Sequence, residues 1–115
     1  MKHRSGNKKL NLPTDQRLAL IKGLVLELID KKSIKTTSAR AKQASQFAER
    51  LITIAKTDSV NNRRHAFKLI NNKSFIKALF EVASSYKDRK GGYTKIIKCG
   101  LRKGDAAEMS QLELV

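Results

Sequence analysis

Ser33-Ile34-Lys35-Thr36-Thr37-Ser38-Ala39-Arg40-Ala41-Lys42-Gln43-Ala44 is where the chain changes its period. The first five residues alternate and include β-branched Ile34, Thr36 and Thr37, the pattern of a short strand. Ser38 stands where a helix cap belongs. Ala41, Ala44, Ala48, Leu51 and Ala55 then recur at helical spacing, flanked by Phe47, Ile52 and Ile54. The alanines are small enough to bring this helix close to a sheet or to another helix. A strand running straight into such a seam predicts a layered fold with this helix at its centre.

The flanks fill in the rest. Upstream, Pro13-Thr14-Asp15 is a helix start, with Thr14 as cap and Asp15 at the positive end of the dipole. Leu18, Ile21, Val25, Leu28 and Ile29 form one stripe, so this helix runs to about Asp30. Downstream, a helix over about Val60 to Ile70 turns Val60, Phe67 and Ile70 inward and Arg63, Arg64 and Lys68 outward. After a turn at Asn71-Asn72, a helix over about Lys73 to Ser84 buries Phe75, Ile76, Leu79, Phe80 and Val82. Tyr86 to Gly92 is a loop. Tyr93 to Cys99 alternates, Gly100 to Asp105 is a basic turn, and Ala107 to Val115 is a last strand, which together predict an antiparallel hairpin.

The predicted fold class is therefore α+β. The order is helix, strand, three helices, two strands, in two layers, with a small three-stranded mixed sheet covered by helices on one face. At 115 residues the chain is one domain, 1–115. Met1 to Leu12 shows neither period and carries no acid, so residues 1–13 are set apart as a basic N-terminal arm, which by composition is either ordered on binding or a frayed terminus with incidental charge.

The charge narrows the function. Lys and Arg number 25 against 10 Asp and Glu, a formal net charge of +15. Self-repulsion of that size is relieved by a polyanion, whose released counterions drive binding. The cations are not gathered in one place. Acid-free runs lie at 1–14, 31–42 and 61–77, and Tyr86 to Gly104 holds seven basic residues beside Asp88 alone. Charge on several sides suits a protein embedded in folded RNA, read through phosphate and shape.

Catalysis finds no support. His3 and His65 are the only histidines and sit in no catalytic motif. Cys99 is the only cysteine, which excludes an intrachain disulfide and a cysteine-rich zinc site and fits a reducing compartment. Cys99 reads as a structural thiol. Gly91-Gly92 has neither P-loop nor dinucleotide spacing. Flanked by Arg89, Lys90 and Lys95, the pair instead lets backbone amides come up to a phosphate, or forms an ordinary turn before a strand. Only Tyr86 and Tyr93 remain for stacking on bases or ribose, which argues against a stacking platform and for backbone and shape contacts. No apolar run reaches membrane-spanning length and no signal-peptide core follows Arg4. The expectation is a cytoplasmic protein without enzymatic activity, metal, cofactor or small-molecule substrate.

Tyr86-Lys87-Asp88-Arg89-Lys90-Gly91-Gly92-Tyr93-Thr94-Lys95-Ile96, then Arg102-Lys103-Gly104-Asp105 and Glu113-Leu114-Val115, closely resemble family seventeen of the bacterial large-subunit ribosomal proteins. Lys2-His3-Arg4, Lys9-Leu10-Asn11, Thr36-Thr37 with Ala39-Arg40-Ala41-Lys42, Leu51-Ile52-Thr53 with Ala55-Lys56, and Arg63-Arg64 with Ala66 agree in order. Each motif is weak alone; the ordered set covers essentially the whole chain.

The resemblance implies a structural protein of the large subunit, bound to its 23S rRNA near the peptide tunnel exit, with other large-subunit proteins as neighbours. It also implies the layout read from periodicity. Carried over, the rRNA-binding positions are Lys2, His3, Arg4, Lys8, Lys9, Arg17, Thr36, Thr37, Lys42, Arg63, Arg64, Arg89, Gly91, Gly92, Tyr93, Lys95 and Arg102. The family carries Arg where Lys2 and Lys95 stand, and lysine lacks the planar fork of arginine. A nucleoid-type DNA-binding protein is the alternative from charge alone. It calls for a dimer interface and a recognition helix, and no such helix is legible.

Overall fold

The computed structural model describes residues 10 and 12–115. Helices α1 (Thr14–Lys31), α2 (Ser38–Ala55), α3 (Val60–Leu69) and α4 (Lys73–Ser84) combine with strands β1 (Ser33–Thr37), β2 (Thr94–Leu101) and β3 (Glu108–Leu114). The order along the chain is α1-β1-α2-α3-α4-β2-β3, as the periods predict. The contacts expected of Lys2, His3, Arg4, Lys8 and Lys9 lie outside the described residues.

The alanine seam decides the packing. Ala41, Ala44, Ala48, Leu51 and Ala55 are all buried, and α2 touches the other three helices and all three strands. With methyl groups at the contact, backbones approach closely and the apolar area lost to water lies in the interfaces. The core is completed by Val25, Leu28 and Ile29 of α1, by Phe75, Ile76, Leu79, Phe80, Val82 and Ala83 of α4, and by Ile34 and Leu112 of the sheet. Truncating one of the fully buried large residues, such as Leu79→Ala, is expected to cost about 2–5 kcal/mol.

The sheet corrects one expectation. It is antiparallel throughout, with strand order β1-β3-β2, not mixed. β1 and β2 do run in the same direction, but β3 turns back from the hairpin and inserts between them. Ile34, Thr36, Ser110 and Leu112 face the helices and are buried. Lys35, Gln111 and Ile97 align across the opposite face, as do Ser33, Glu113 and Lys95, and no helix covers that face.

The ends of the elements depart from the sequence reading in instructive ways. Pro13, not Thr14, occupies the cap position of α1, and its carbonyl accepts from the Arg17 amide at 2.9 Å. α1 ends at Lys32 in the left-handed region, φ 69°, and the Lys32 carbonyl accepts from Leu114 N at 3.0 Å. A helix terminus is thereby tied to the last strand. Ser38 does not cap α2; its hydroxyl bonds that of buried Ser110 at 2.6 Å. Ser59 and Asn72 are the side chains that do cap, holding Asn62 N (3.2 Å) and Phe75 N (3.0 Å). The strand β2 continues through Gly100 and Leu101, which a turn was expected to claim. A bulge between Lys98 and Gly100, with Gly100 at φ 96°, takes up the extra residue. Val60 and Phe67 were expected inward and are 64% and 39% exposed, because α3 buries only its Ala66 edge against the core.

Candidate nucleic-acid interface

The loop between α4 and β2 is built from the inside. Tyr86 and Tyr93 are buried with ring centroids 5.3 Å apart. The Tyr86 hydroxyl donates to the Val115 carbonyl at 2.7 Å, and Val115 N donates to the Tyr93 carbonyl at 2.9 Å. Tyr93 N donates to Glu49 Oε1 of α2 at 2.9 Å. Just past α2, the Lys56 ammonium donates to the Arg89 carbonyl and, at 3.0 Å, to the Tyr93 hydroxyl, which itself donates to the Arg89 carbonyl at 3.2 Å. Buried backbone polar groups of a loop are thus satisfied by side chains from elsewhere in the chain.

The two tyrosines differ in their titration for clear reasons. The Lys56 hydrogen bond holds the Tyr93 phenol below its ordinary value against the pull of desolvation. Burial raises that of Tyr86, with nearby Arg89 offsetting part of it.

With the inside of the loop occupied, its outside is left free. Arg89, Gly91 and Gly92 are exposed. Arg89 Nε donates to the Gly91 carbonyl at 3.1 Å, which holds the guanidinium beside the glycines and leaves its terminal nitrogens without a hydrogen bond among the described residues. Neither glycine amide donates a hydrogen bond among the described residues. Gly92 sits at φ 64°, where a side chain is strained, while a Cβ on Gly91 meets nothing within 4 Å. Gly92 is therefore favoured by the backbone itself. Gly91 is required only if something outside comes close.

Other cations lie on separate faces. Arg17 shares a depression with Lys22, Gln43 and Arg50 across α1 and α2, and Lys42 is exposed on α2. Thr37 and Lys95 stand on the open sheet face with Lys35. Arg64 is exposed on α3. Lys22, Lys35 and Arg50 were not among the expected positions; the fold places Lys22 and Arg50 in the depression with Arg17, and Lys35 on the same sheet face as Lys95.

Two expected arginines arrive already engaged. Arg63 grips Asp58 with Nε at 2.7 Å and Nη2 at 2.9 Å, and its guanidinium carbon lies 4.8 Å from the Phe80 ring centroid. Arg102 grips Asp105 at 3.1 and 2.6 Å, and Asp105 also accepts from Ala107 N. The partners hold Asp58 below its ordinary value and Asp105 at about 2. Both arginines keep donors for a phosphate, since a guanidinium has five.

Two other expected contacts are corrected by burial. Thr36 faces the helices, and Tyr93 is 1% exposed, so neither side chain reaches a surface and the tyrosine pair is no stacking platform. Glu49 and Lys56 are the loop's supports, and nothing in the sequence marks Glu49. Cys99 is exposed beside the bulge, not packed as a structural thiol. Among the described residues no His, Cys, Asp and Glu cluster could hold a metal, and no helix is long and apolar enough to cross a membrane.

Fold and surface together define a small basic α+β domain with cationic groups on several sides and a glycine loop held from within. The profile of the family described as Ribosomal protein L17 matches residues 20–115. A protein named large ribosomal subunit protein bL17 from Dictyoglomus thermophilum is 47% identical over 116 residues, covering 100% of both chains. One of the same name from Borrelia hermsii is 46% identical over 116 residues, covering 100% of this chain and 94% of that protein. The chain belongs to the ribosomal protein L17 family, whose members are structural and not enzymes.

Proposed function

We propose that this chain is a structural constituent of the large subunit of the cytoplasmic ribosome. It binds 23S rRNA through phosphate and shape contacts, beside neighbouring large-subunit proteins and near the exit of the peptide tunnel. The observation that carries the binding mode is the loop at 86–93. Its interior hydrogen bonds are closed by Glu49, Lys56 and Val115, while Arg89, Gly91 and Gly92 are exposed and neither glycine amide donates a hydrogen bond among the described residues. A rigid array of donors that needs no rearrangement is what phosphate recognition rewards. The contact set is Arg17, Thr37, Lys42, Arg64, Arg89, Gly91, Gly92 and Lys95, with Arg63 and Arg102 through their remaining donors and Lys2, His3, Arg4, Lys8 and Lys9 from the arm. The relatives' shared name supports the subunit, and the resemblance alone supports the tunnel exit.

The test is co-sedimentation of the native protein with large subunits through a salt-washed gradient, paired with a salt titration of binding to large-subunit RNA. Retention is expected. The log–log salt slope is expected to be steep, roughly 0.7–0.9 for each phosphate neutralised. A slope near zero, or equal affinity for duplex DNA at physiological salt, overturns the reading. Removing residues 1–12 is expected to reduce the slope by the arm's share.

A further inference from the structure

Helices α3 and α4 form between them a groove of about 790 Å³. Its floor is apolar, made by Val60, Phe67, Ile76 and Phe80, and the exposure of Val60 and Phe67 leaves that floor open. Its rim carries Arg64, Lys73 and Lys77, none of which pairs with a carboxylate among the described residues. Exposed apolar side chains gathered in a concave site mark a place for a partner.

We propose that this groove docks a segment of another protein, one with apolar side chains at helical spacing bracketed by Asp and Glu. Complementarity of charge selects it. The three free cations favour carboxylates, while a second copy of this chain would bring +15 against them. Nucleic acid fits less well. One face of the Phe80 ring is taken by the Arg63 guanidinium and Val60 and Ile76 are aliphatic, which leaves Phe67 alone for a base to stack on. An amphipathic helix laid in a groove is the matching mode: its apolar anchors cover the floor and its acids meet the rim. Arg63 and Arg64 are shared with the contacts proposed for RNA above, whereas Lys73 and Lys77 are not, so the two lysines are where the two readings separate.

The experiment uses the full chain and two synthetic helical peptides. Both have leucines at helical spacing; one is flanked by glutamates and the other by lysines. Nuclear magnetic resonance is expected to show the glutamate peptide moving the signals of Val60, Phe67, Ile76 and Phe80. The double variant Val60→Ser, Phe67→Ser is expected to weaken it at least tenfold. A second variant guards against misfolding: Lys73→Glu with Lys77→Glu alters exposed residues only and is expected to reverse the preference between the peptides. Equal binding of both peptides to the native chain, or unchanged preference in the charge-reversed variant, overturns the proposal. In assembled subunits, a photo-crosslinker replacing Val60 is expected to join a protein segment rich in Asp and Glu. A crosslink to RNA or to a lysine-rich segment overturns it.

Discussion

The loop at 86–93 and the hairpin turn at 102–107 each set an arginine beside a glycine, and they hold their shapes by opposite means. In the loop, the fixing groups come from far along the chain: Glu49 reaches Tyr93, Lys56 reaches Arg89, and Tyr86 reaches Val115. In the turn they are local. Arg102 and Asp105 pair three residues apart, Arg102 N donates to the Ala107 carbonyl at 2.8 Å, and Ala106 N donates to the Arg102 carbonyl at 3.0 Å. The loop is a property of the assembled core, and the turn is a property of its own sequence. A change in the core should thus be felt at the loop and not at the turn.

The largest effect is expected at Gly92. A β-branched residue at φ 64° is strained by roughly 1–2 kcal/mol or more. Gly92→Val should lower the melting temperature by several degrees, to be read by calorimetry, and weaken RNA binding most of all single changes in the loop. Gly91→Ala is the sharper probe. Its Cβ meets nothing, so the melting temperature should hold. Binding should nevertheless fall if a phosphate comes up to the amides. Native binding by Gly91→Ala would make the loop a strand connector and remove the contrast with the turn.

Next in size is Lys56→Met, which removes hydrogen bonds to the Arg89 carbonyl and the Tyr93 hydroxyl. At about 0.5–1.5 kcal/mol for a typical hydrogen bond, a loss of a few degrees in melting temperature is expected. The signature is spectroscopic. With two tyrosines and no tryptophan in the chain, an alkaline absorbance titration resolves both phenols. The Tyr93 phenol should rise once the ammonium is gone, since Lys56 is the main cause of its lowering. The Tyr86 phenol should stay where burial puts it. An unmoved Tyr93 would mean that Lys56 does not hold the loop.

The same division explains what the sequence made legible. The helices and β1 follow from local period, and the observed bounds of β1 and α4 coincide with the sequence reading. Basic runs and the glycine pair are also local, so the loop's outer residues could be named in advance. Long-range placement could not. Period cannot tell that β3 inserts between β1 and β2, that Ser38 spends its hydroxyl on Ser110, or that Glu49 reaches the Tyr93 amide. The inward reading of Val60 and Phe67 failed for a related reason. A helical stripe says which side chains share a face, and only the packed fold says whether anything covers that face. The sequence argues against a stacking platform but cannot tell that both tyrosines are buried, since a polar tip on an aromatic ring serves a buried hydrogen bond as readily as a base.

The smallest effect belongs to the turn, and its sign follows from Asp105. The Arg102 hydrogen bond, aided by the Ala107 amide, holds this carboxyl at about 2, below the ordinary value of 3.8. A depressed folded value means that the contribution is fully present above the unfolded value. It fades as pH falls from about 4 and is lost once pH passes below about 2. The pair is open to solvent on both sides, so the contribution is modest and screened by salt. Asp105→Asn should therefore melt slightly below the native chain near neutrality and together with it in strong acid. Its effect should also stay where it is made. Nuclear magnetic resonance signals of residues 102–107 should move, while those of Arg89, Gly91 and Gly92 should not, since nothing in the loop touches the turn. Movement at Gly92 would show that β2 transmits strain from its hairpin end to its loop end, and that two regions taken as independent are one.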